Sequence, residues 1–388
     1  MIDETRIKKN LELISFPRLS GTEGEKKALS IVKKKIEALN LKPSVQSFTF
    51  TSFYPRTYLK IVLVLCFWVL FILYLYIDFM FTILNLIIIL AIFIPFVIIT
   101  RKPEKIRIGK KRISQNLYVK IPGNSESSYS NNTSFEQDNA KGNLLFMCHL
   151  DSKGQRLPMN FRVFFFKSWI FSSIGCLILI LLKNFILIQY SFWLFLAGGF
   201  LLIFNFISTI ILYINTTNNK SPGAIDNGSG IVCLLELLKY YSDPELILKN
   251  YNLWFLFTGC EENGTMGVRH LYHKIEHLDR AKSFMLNFDT LGTQLDVITD
   301  KRGEFFFKNT KDFTVTFNMI KKIRLARSDA YVLGDNGFMG FGILDKEAYK
   351  YSHSKKDTVD KVDCLLLKKL LIHITVMLKF FDKRQLKA

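Results

Sequence analysis

The 388-residue sequence is poor in cysteine and in acidic residues. Its six cysteines form no CxxC pair, which argues against a Cys-ligated structural zinc site and predicts free thiols in a reducing compartment. Only 33 Asp and Glu stand against 52 Lys and Arg, giving a formal net charge of +19. No nucleic-acid recognition motif and no internal repeat accompany this charge, so we predict no nucleic-acid partner.

Charge is also missing from two long blocks of the chain. No charged residue occurs between Ile61 and Ile77 or between Phe79 and Thr100, and the stretch 168–219 contains only Lys183. About 20 apolar residues in a helix cross a bilayer, so each block is long enough for two passes. We predict four spans at about 58–77, 80–100, 164–182 and 190–214. Core helices of a soluble protein would keep a polar face, and these do not.

The first 50 residues contain no apolar run of the kind found in a signal peptide. Fourteen Lys and Arg flank the ends of the spans that join the hydrophilic chain, whereas the two hairpin tips have only Lys183. Basic residues favour the cytoplasmic side of a membrane. The sequence therefore predicts an integral, multi-pass membrane protein whose hydrophilic domain faces the cytoplasm. No charge lies in the middle of a span to suggest a transport path.

Without the two membrane blocks, 277 residues remain, the size of one large α/β domain. We therefore predict one hydrophilic domain with two inserted membrane hairpins. Its pieces are 1–52, 101–157 and 221–388, and the hairpins are 53–100 and 158–220.

The hydrophilic pieces alternate between strand and helix patterns. This order predicts an α/β fold, with a mostly parallel central sheet covered by helices on both faces. Predicted helices are 22–39, 230–241, 264–277 and 363–381, predicted strands are 45–51, 116–121, 144–148, 253–258 and 283–288, and the Ser/Asn-rich stretch 125–139 is predicted to be a surface loop.

Histidine and acidic residues follow three of the predicted strands, at the sheet edge where α/β proteins bind ligands. His149 and Asp151 follow the strand at 144–148, Glu261 and Glu262 the strand at 253–258, and Asp289 the strand at 283–288. Asp226 lies in the loop Gly223-Ala224-Ile225-Asp226-Asn227-Gly228-Ser229-Gly230. Carboxylates crowded together repel unless cations neutralise them, so this set predicts a site for divalent metal.

The order of these motifs, ending at His353, resembles the co-catalytic di-zinc aminopeptidase family, which includes glutamate-carboxypeptidase-type and glutaminyl-cyclase-type enzymes. The resemblance covers the hydrophilic residues and none of the membrane blocks. It implies the zinc-peptidase (phosphorylase/hydrolase-like) fold and two Zn²⁺ ions per chain. It further implies that His149 and Asp289 bind one zinc, that Glu262 and His353 bind the other, and that Asp226 bridges them.

In the same family pattern, Glu261 is the general base and Asp151 orients His149. The family's Ser-Asp-His run is absent, and either Ser328-Asp329-Ala330 or Gly334-Asp335-Asn336 occupies that region. His270, His273 and His277 recur at helical spacing and are predicted to form a solvated face, and His373 is predicted to pack in the core.

The resemblance implies a membrane-anchored exopeptidase that hydrolyses the N-terminal peptide bond of a peptide, using a metal-bridged water and a Glu base. Two alternatives stay open. One is a glutaminyl-cyclase-like acyl transferase, whose relatives typically use one zinc. The other is a catalytically silent, peptidase-like module that docks a membrane partner. The expected partners are a peptide and the lipid bilayer, and the oligomeric state is not predicted.

Overall fold

A computed structural model describes residues 1–76, 78–123, 140–299, 318–321 and 328–384. The predicted surface loop at 125–139 lies outside these residues. The chain forms two compact units. We call Met1–Thr49, Arg112–Gly154 and Asn218–Ala388 the body unit, and Phe50–Lys111 with Gln155–Thr217 the helical unit.

The helices and strands alternate along the chain much as the sequence predicts. In chain order they are α1 Glu4–Ile14, α2 Glu23–Glu37, β1 Ser44–Thr51, α3 Leu59–Leu75, α4 Phe79–Thr100, β2 Lys111–Ile121, β3 Gly142–His149, β4 Gly154–Gln155, α5 Met159–Leu181, α6 Ser191–Ile214, β5 Thr217–Asn218, α7 Ser229–Tyr241, β6 Tyr251–Thr258, α8 Met266–Ile275, β7 Ser283–Phe288, β8 Asp296–Thr299, β9 Asn318–Lys321, α9 Asp329–Asp335, β10 Met339–Leu344 and α10 Cys364–Arg384.

Eight strands form one sheet in the order β1-β2-β6-β3-β7-β10-β8-β9. The four central strands β6, β3, β7 and β10 run parallel to one another, whereas β2 and β8 pair with their inner neighbours in the antiparallel direction. The predicted fold class, a mostly parallel sheet in an α/β protein, is therefore confirmed. Because β3, β6 and β7 are parallel, the residues that follow them emerge at the same edge of the sheet.

Helices cover both faces of this sheet, and successive side chains of the buried strands supply the two cores. Leu144 and Phe146 of β3 pack into a core with α1, α2, α7 and α10. Leu145 and Met147, between them in sequence, pack into a second core with α8 and α9. Every residue of β3 is buried, which explains why its sequence reads as a continuous apolar run.

In the helical unit, four helices are long and apolar enough to cross a membrane. They extend over Phe53–Leu75, Phe79–Thr100, Met159–Ile186 and Ile188–Ile214, within a few residues of the predicted spans. Only 11–28% of each apolar window is buried, as expected for helices whose outer surface meets lipid.

Small and polar residues contribute to the contacts between these helices, beside an apolar cluster that includes Leu70, Ile180 and Leu202. Gly198 of α6 lies against the ring of Tyr74, whose hydroxyl donates a 2.7 Å hydrogen bond to the carbonyl of Phe195. The side-chain amide of Asn205 is fully buried and donates to Ser172 Oγ and Ser173 Oγ of α5, at 3.0 and 2.8 Å. Small residues and interhelical hydrogen bonds of this kind hold membrane helices together, because apolar surface alone does not prefer protein over lipid.

Candidate metal centre

The predicted site residues meet at the carboxyl edge of the sheet. His149 is the last residue of β3, Glu261 and Glu262 follow β6, and Asp289 follows β7. Asp226 comes from the loop that enters α7, and it is buried with the rest of that loop. The structure thus brings together residues from separate segments of the chain that only folding makes neighbours.

One group of ligand atoms surrounds the imidazole of His149. Its Nε2 atom lies 3.1 Å from Asp226 Oδ1 and 3.6 Å from Asp289 Oδ1. The three side chains offer one nitrogen and two carboxylate oxygens within 4.8 Å of one another.

A second group surrounds His353. Its Nε2 atom lies 3.1 Å from Asp226 Oδ2 and 2.9 Å from Glu262 Oε1. The two oxygens of Asp226 therefore face different histidines, so one carboxylate belongs to both groups. Over the described ranges of the chain, these two groups are the ones whose geometry could hold a metal ion.

The donor atoms fit divalent zinc. Two imidazoles and three carboxylates, without thiolate, are typical of catalytic zinc sites. Glu262 Oε1 is buried, and His353 Nε2 lies 2.9 Å from it. A buried carboxylate oxygen and a ring nitrogen at this distance are positioned to share a cation.

Asp151 fixes the neighbours of this centre. Its carboxylate accepts hydrogen bonds from the backbone N–H groups of Glu261 and Glu262, at 3.0 and 3.1 Å, and from Ser20 Oγ at 2.5 Å. Its backbone oxygen lies 3.0 Å from His149 Nδ1, on the ring edge opposite Asp226. The contact between Asp151 and His149 constrains the His149 ring, and the two backbone hydrogen bonds fix the start of the Glu261-Glu262 turn.

Two further residues hold the loops in place. Arg18 is fully buried, and its guanidinium donates to the carbonyls of Leu150, Pro222 and Gly223 at 2.7–2.9 Å. It thereby ties the loop after β3 to the loop that contains Asp226. Asp357, four residues after His353, accepts a 2.6 Å hydrogen bond from the N–H of Ile225. The sequence reasoning did not identify Arg18, since no local pattern marks a side chain that bonds only to backbone.

The loops of the centre contain unfavourable backbone conformations. Cys260, Thr290 and His353 have φ angles of 59°, 58° and 59°, in the left-handed region that residues with a Cβ rarely adopt. Each of them lies beside or at a predicted site residue. Strained residues persist where surrounding contacts over-determine them, and they cluster at functional sites.

Burial and neighbouring charges shift the pKa values of Glu261 and Glu262 in opposite directions. Burial raises the pKa of Glu261 well above its ordinary range, and the carboxylates of Glu262 and Asp289 act in the same direction. Burial would also raise the pKa of Glu262, but His353 and Lys153 lower it to about 2. Adjacent glutamates with opposite shifts are suited to different tasks, one to proton transfer and the other to binding a cation.

Lys153 is a component of the centre that the sequence reasoning missed. Its ammonium group lies 2.7 Å from Glu262 Oε2, the oxygen that does not face His353. The residue follows Asp151 by two positions, and a lysine in a loop carries no sequence signal of its own. Glu262 thus contacts a fixed cation through one oxygen and faces the metal-binding group through the other.

The structure also distinguishes the two candidate segments for the missing Ser-Asp-His run. Asp329 begins α9, is fully buried, and accepts a hydrogen bond from Thr258 Oγ1 at the end of β6. Burial raises the pKa of Asp329 to about 7, and His149 is among its charged neighbours. Asp335 instead ends α9. Asp329 is therefore the acidic residue of this region beside the centre.

The remaining histidines lie outside both groups. His273 and His277 are exposed on α8 or just after it, as predicted. His270 is not part of a solvated face, because its ring stacks on Phe48 with 4.6 Å between centroids. His373 is buried in α10, as its predicted packing role requires.

Residues 208–376 match peptidase family M28. Among curated proteins, a probable aminopeptidase of Saccharomyces cerevisiae is 28% identical over 159 residues, which cover 37% of this chain and 42% of that protein. Leucine aminopeptidase 1 of Leptosphaeria maculans is 27% identical over 177 residues, covering 41% and 45%. Nicalin of Caenorhabditis elegans is 33% identical over 121 residues, covering 27% and 21%. The chain thus spans less than half the length of these relatives.

Solved structures of two kinds share the fold. The aminopeptidase from Aneurinibacillus sp. strain AM-1 superposes with a TM-score of 0.57 at 12% identity, over 97% of this chain and 93% of that one. Porphyromonas gingivalis glutaminyl cyclase gives a TM-score of 0.53 at 10% identity, over 98% of both chains. The shared fold, together with the M28 match and the aminopeptidase relatives, confirms the predicted resemblance to the family of zinc aminopeptidases and glutaminyl cyclases.

Proposed function

We propose that this chain is a membrane-anchored zinc exopeptidase that removes the N-terminal residue of a peptide. The observation that carries the proposal is the position of Asp226. Its two carboxylate oxygens face His149 and His353, so this residue belongs to both three-residue groups. A shared carboxylate between two nitrogen-oxygen groups is the arrangement that a pair of zinc ions needs. The M28 match and the aminopeptidase relatives support the same reaction class.

In this proposal each residue has one role. His149 and Asp289 would hold one zinc, Glu262 and His353 the other, and Asp226 both. When bound, the ions would polarise the scissile carbonyl and make water more acidic. Glu261 would take the proton from the attacking water and pass it to the leaving amine, which its raised pKa favours. Asp151 and Arg18 would keep the loops in position.

Peptide hydrolysis by the purified protein tests the proposal. A panel of peptides with free N-termini, each matched with its N-acetylated form, would be incubated with the full chain in detergent, with and without a chelator. We expect release of the N-terminal amino acid from the free peptides only, abolished by the chelator and restored by Zn²⁺. Release of the C-terminal residue, or no release from any peptide, would contradict the proposal.

Glutaminyl cyclisation is the second candidate, because glutaminyl cyclase structures match the fold at a TM-score above 0.5. The two reactions give different products from a peptide that begins with Gln. An exopeptidase frees glutamine and shortens the peptide by one residue. A cyclase frees ammonia, and the peptide keeps all of its residues. Zinc content adds a second criterion, since two ions per chain favour hydrolysis and one favours cyclisation.

We further propose that the body unit faces the cytoplasm, on the strength of the basic residues that flank the spans on that side. A cysteine placed at Asn184, in the tip between α5 and α6, should react with an impermeant thiol reagent in sealed right-side-out vesicles. A cysteine at the exposed His273 should not react until the membrane is opened. The reverse pattern would invert the orientation.

A further inference from the structure

Side chains from other segments of the body unit hold the backbone that carries the two adjacent glutamates. We call residues 259–262 the glutamate turn. All four of its backbone N–H groups donate hydrogen bonds to side chains. Asp151 accepts two of these bonds and Asn116 accepts a third. The fourth N–H group, that of Cys260, donates to Glu25 Oε1 at 3.0 Å. Glu25 belongs to neither metal-binding group.

Glu25 is itself firmly held. It lies in the first turn of α2, and only 3% of its surface is exposed. Its Oε1 atom also accepts a 2.7 Å hydrogen bond from Ser114 Oγ, and its Oε2 atom accepts one of 2.7 Å from the N–H of Gly21. Each of these groups would be costly to leave buried without its partner. The carboxyl group of Glu25 therefore ties α2 and β2 to the glutamate turn.

The backbone of the glutamate turn lies directly against this carboxyl group. A Cβ atom on Gly259 would come within 3.0 Å of Glu25 Oε1 and would overlap Ser114 Oγ, so position 259 has no room for a side chain. The next residue, Cys260, has a φ angle of 59°. A residue with a Cβ keeps this left-handed conformation only where its surroundings impose it. The hydrogen bond from the N–H of Cys260 to Glu25 is one such constraint.

We propose that Glu25 is a positioning residue for Glu261, an inference that rests on the proposed peptidase function. A change in the φ angle of Cys260 redirects the chain that follows it, beginning with Glu261. Without the hydrogen bond to Glu25, the glutamate turn can relax toward an ordinary φ angle and carry the Glu261 carboxylate away from the attacking water. A displacement of about 1 Å can lower a reaction rate about 100-fold.

Steady-state peptide hydrolysis by the full chain tests the proposal. Glu25→Ala should lower kcat by about 10- to 100-fold, whereas KM should change less than about threefold, because the effect falls on the proton acceptor. Zinc content should stay unchanged, since Asp151 still holds the N–H of Glu262.

Glu236→Ala is the matched control for this substitution. Glu236 is also a buried glutamate of the body unit, but its carboxylate accepts hydrogen bonds from Arg6 and from the N–H of Asp3, at the start of α1. Its replacement should lower the thermal unfolding midpoint, as that of Glu25 does, without lowering kcat.

A milder pair of variants decides the matter if Glu25→Ala does not fold. Glu25→Gln keeps an acceptor oxygen for Cys260 and Ser114, but it places an amide group beside the N–H of Gly21. It should lower kcat by about three- to tenfold, whereas Glu236→Gln should leave kcat unchanged.

A double variant tests whether Glu25 acts through the glutamate turn. Glycine adopts a positive φ angle without a steric penalty, so Cys260→Gly removes the tendency of the turn to relax. Glu25→Ala should therefore lower kcat less in the Cys260→Gly background than in the unchanged chain.

Hydrogen exchange measures the glutamate turn without any substrate. Peptides that cover 259–262 should show the amide of Cys260 exchanging about tenfold faster in Glu25→Ala than in the unchanged chain, and no faster in Glu236→Ala. An unchanged chain that hydrolyses no peptide contradicts the proposed function, and the exchange rates then test the contact with Glu25 separately.

Four results would overturn the inference. An unchanged kcat in a folded Glu25→Ala variant would show that Glu261 does not depend on Glu25. Equal losses of kcat in Glu25→Ala and Glu236→Ala would show a general loss of stability. Equal losses with Cys260 and with glycine at position 260 would show that the effect does not pass through the glutamate turn. Loss of zinc from Glu25→Ala would show that Glu25 acts on the metal-binding groups instead.

Discussion

The two units bury polar side chains for different purposes. In the body unit, buried carboxylates converge without enough cations of their own, and Asp226, Glu262 and Asp289 face two histidines across short distances. In the helical unit, the buried amide of Asn205 makes hydrogen bonds between helices. In our proposal an added ion completes the first arrangement, whereas the second stabilises the unit by itself. Polar burial therefore indicates a binding site in one unit and helix packing in the other.

The largest expected effect comes from removing Glu261, the proposed proton acceptor of the body unit. Glu261→Gln keeps the shape of the side chain but cannot take a proton, so peptide turnover should fall by at least about 100-fold. Zinc content should stay unchanged, because Glu261 belongs to neither metal-binding group. Stopped assays of amino-acid release and elemental analysis of the same sample measure both quantities.

Glu262→Gln is the matched control for this prediction. It changes the adjacent residue in the same chemical way, and it should lower zinc content by about one ion per chain. If Glu261→Gln lost zinc while Glu262→Gln retained it, the roles that we assign to the two glutamates would have to be exchanged.

A smaller effect is expected from the fixed cation of the centre. Lys153 holds its ammonium 2.7 Å from Glu262 Oε2, where it repels a metal ion on the other oxygen. Lys153→Met should therefore strengthen zinc binding at the Glu262-His353 group by at least about tenfold, because even the dielectric of bulk water leaves a repulsion of about 1.4 kcal/mol between a unit charge and a divalent ion about 6 Å apart. Isothermal titration of the metal-free protein with Zn²⁺ would resolve the weaker site.

Lys153→Arg keeps the charge and controls for the loss of packing, so its zinc affinity should change less than that of Lys153→Met. A decrease in zinc affinity in Lys153→Met would mean that the lysine mainly orients Glu262. The gain in affinity from this orientation would then exceed the loss from charge repulsion.

The sequence predicts the centre well where a residue follows a strand or lies in a Gly-rich loop. His149, Glu262 and Asp289 could be found in this way, because the parallel sheet sends the ends of β3, β6 and β7 to one edge. Their roles as ligands remain predictions. Arg18 and Lys153 could not be found, since their partners are backbone carbonyls and a distant glutamate that only the folded chain brings near.

The elements show the same division. Long apolar runs predict β3 and the four spans within a few residues. The strand β10, Met339–Leu344, was not predicted, because two of its six residues are glycines, which are unfavourable in strands and weaken the strand pattern. The helix α1 was missed although Ile7, Leu11 and Ile14 are buried at helical spacing. Most of the residues of α1 are polar or charged, so its few apolar positions are not recognised as a helical pattern.

The helical unit should lose stability when its buried amide is replaced. Asn205→Leu removes hydrogen bonds to Ser172 and Ser173 and leaves their hydroxyls to find other partners. Interhelical hydrogen bonds in membranes contribute about 0.6 kcal/mol each on average and at most about 1.7. We expect a destabilisation of about 1–2 kcal/mol, measured by unfolding in mixed micelles.

Asn85→Leu is the comparison for this change, because Asn85 of α4 donates to Phe81 within its own helix and its hydrogen bond across helices, accepted from Trp68 Nε1 at 3.4 Å, is long. Its substitution should destabilise the unit less. Equal effects of the two substitutions would show that Asn205 contributes as any polar residue in a span does, and the difference that we draw between the units would not hold.

The smallest expected effect is also the sharpest test of the comparison, since it asks whether the metal centre needs the second hairpin at all. The hairpin begins and ends at neighbouring backbone positions: Arg156 N–H donates a 2.9 Å hydrogen bond to Thr216 O, and Leu157 N–H donates to Asn215 Oδ1 at 3.1 Å. Replacing residues 159–214 with a short Gly/Ser bridge should therefore close the chain without strain, as insertions between adjacent ends allow.

All five predicted metal ligands lie outside the deleted segment. We expect the deletion variant to bind as many zinc ions per chain as the full protein, with affinities within about threefold, as measured by the same titration. The deletion variant carrying Asp226→Ala should bind none, which controls for adventitious zinc. A correctly sized, folded deletion variant that binds no zinc would show that the hairpin is part of the fold that forms the centre, and that the two units cannot be understood separately.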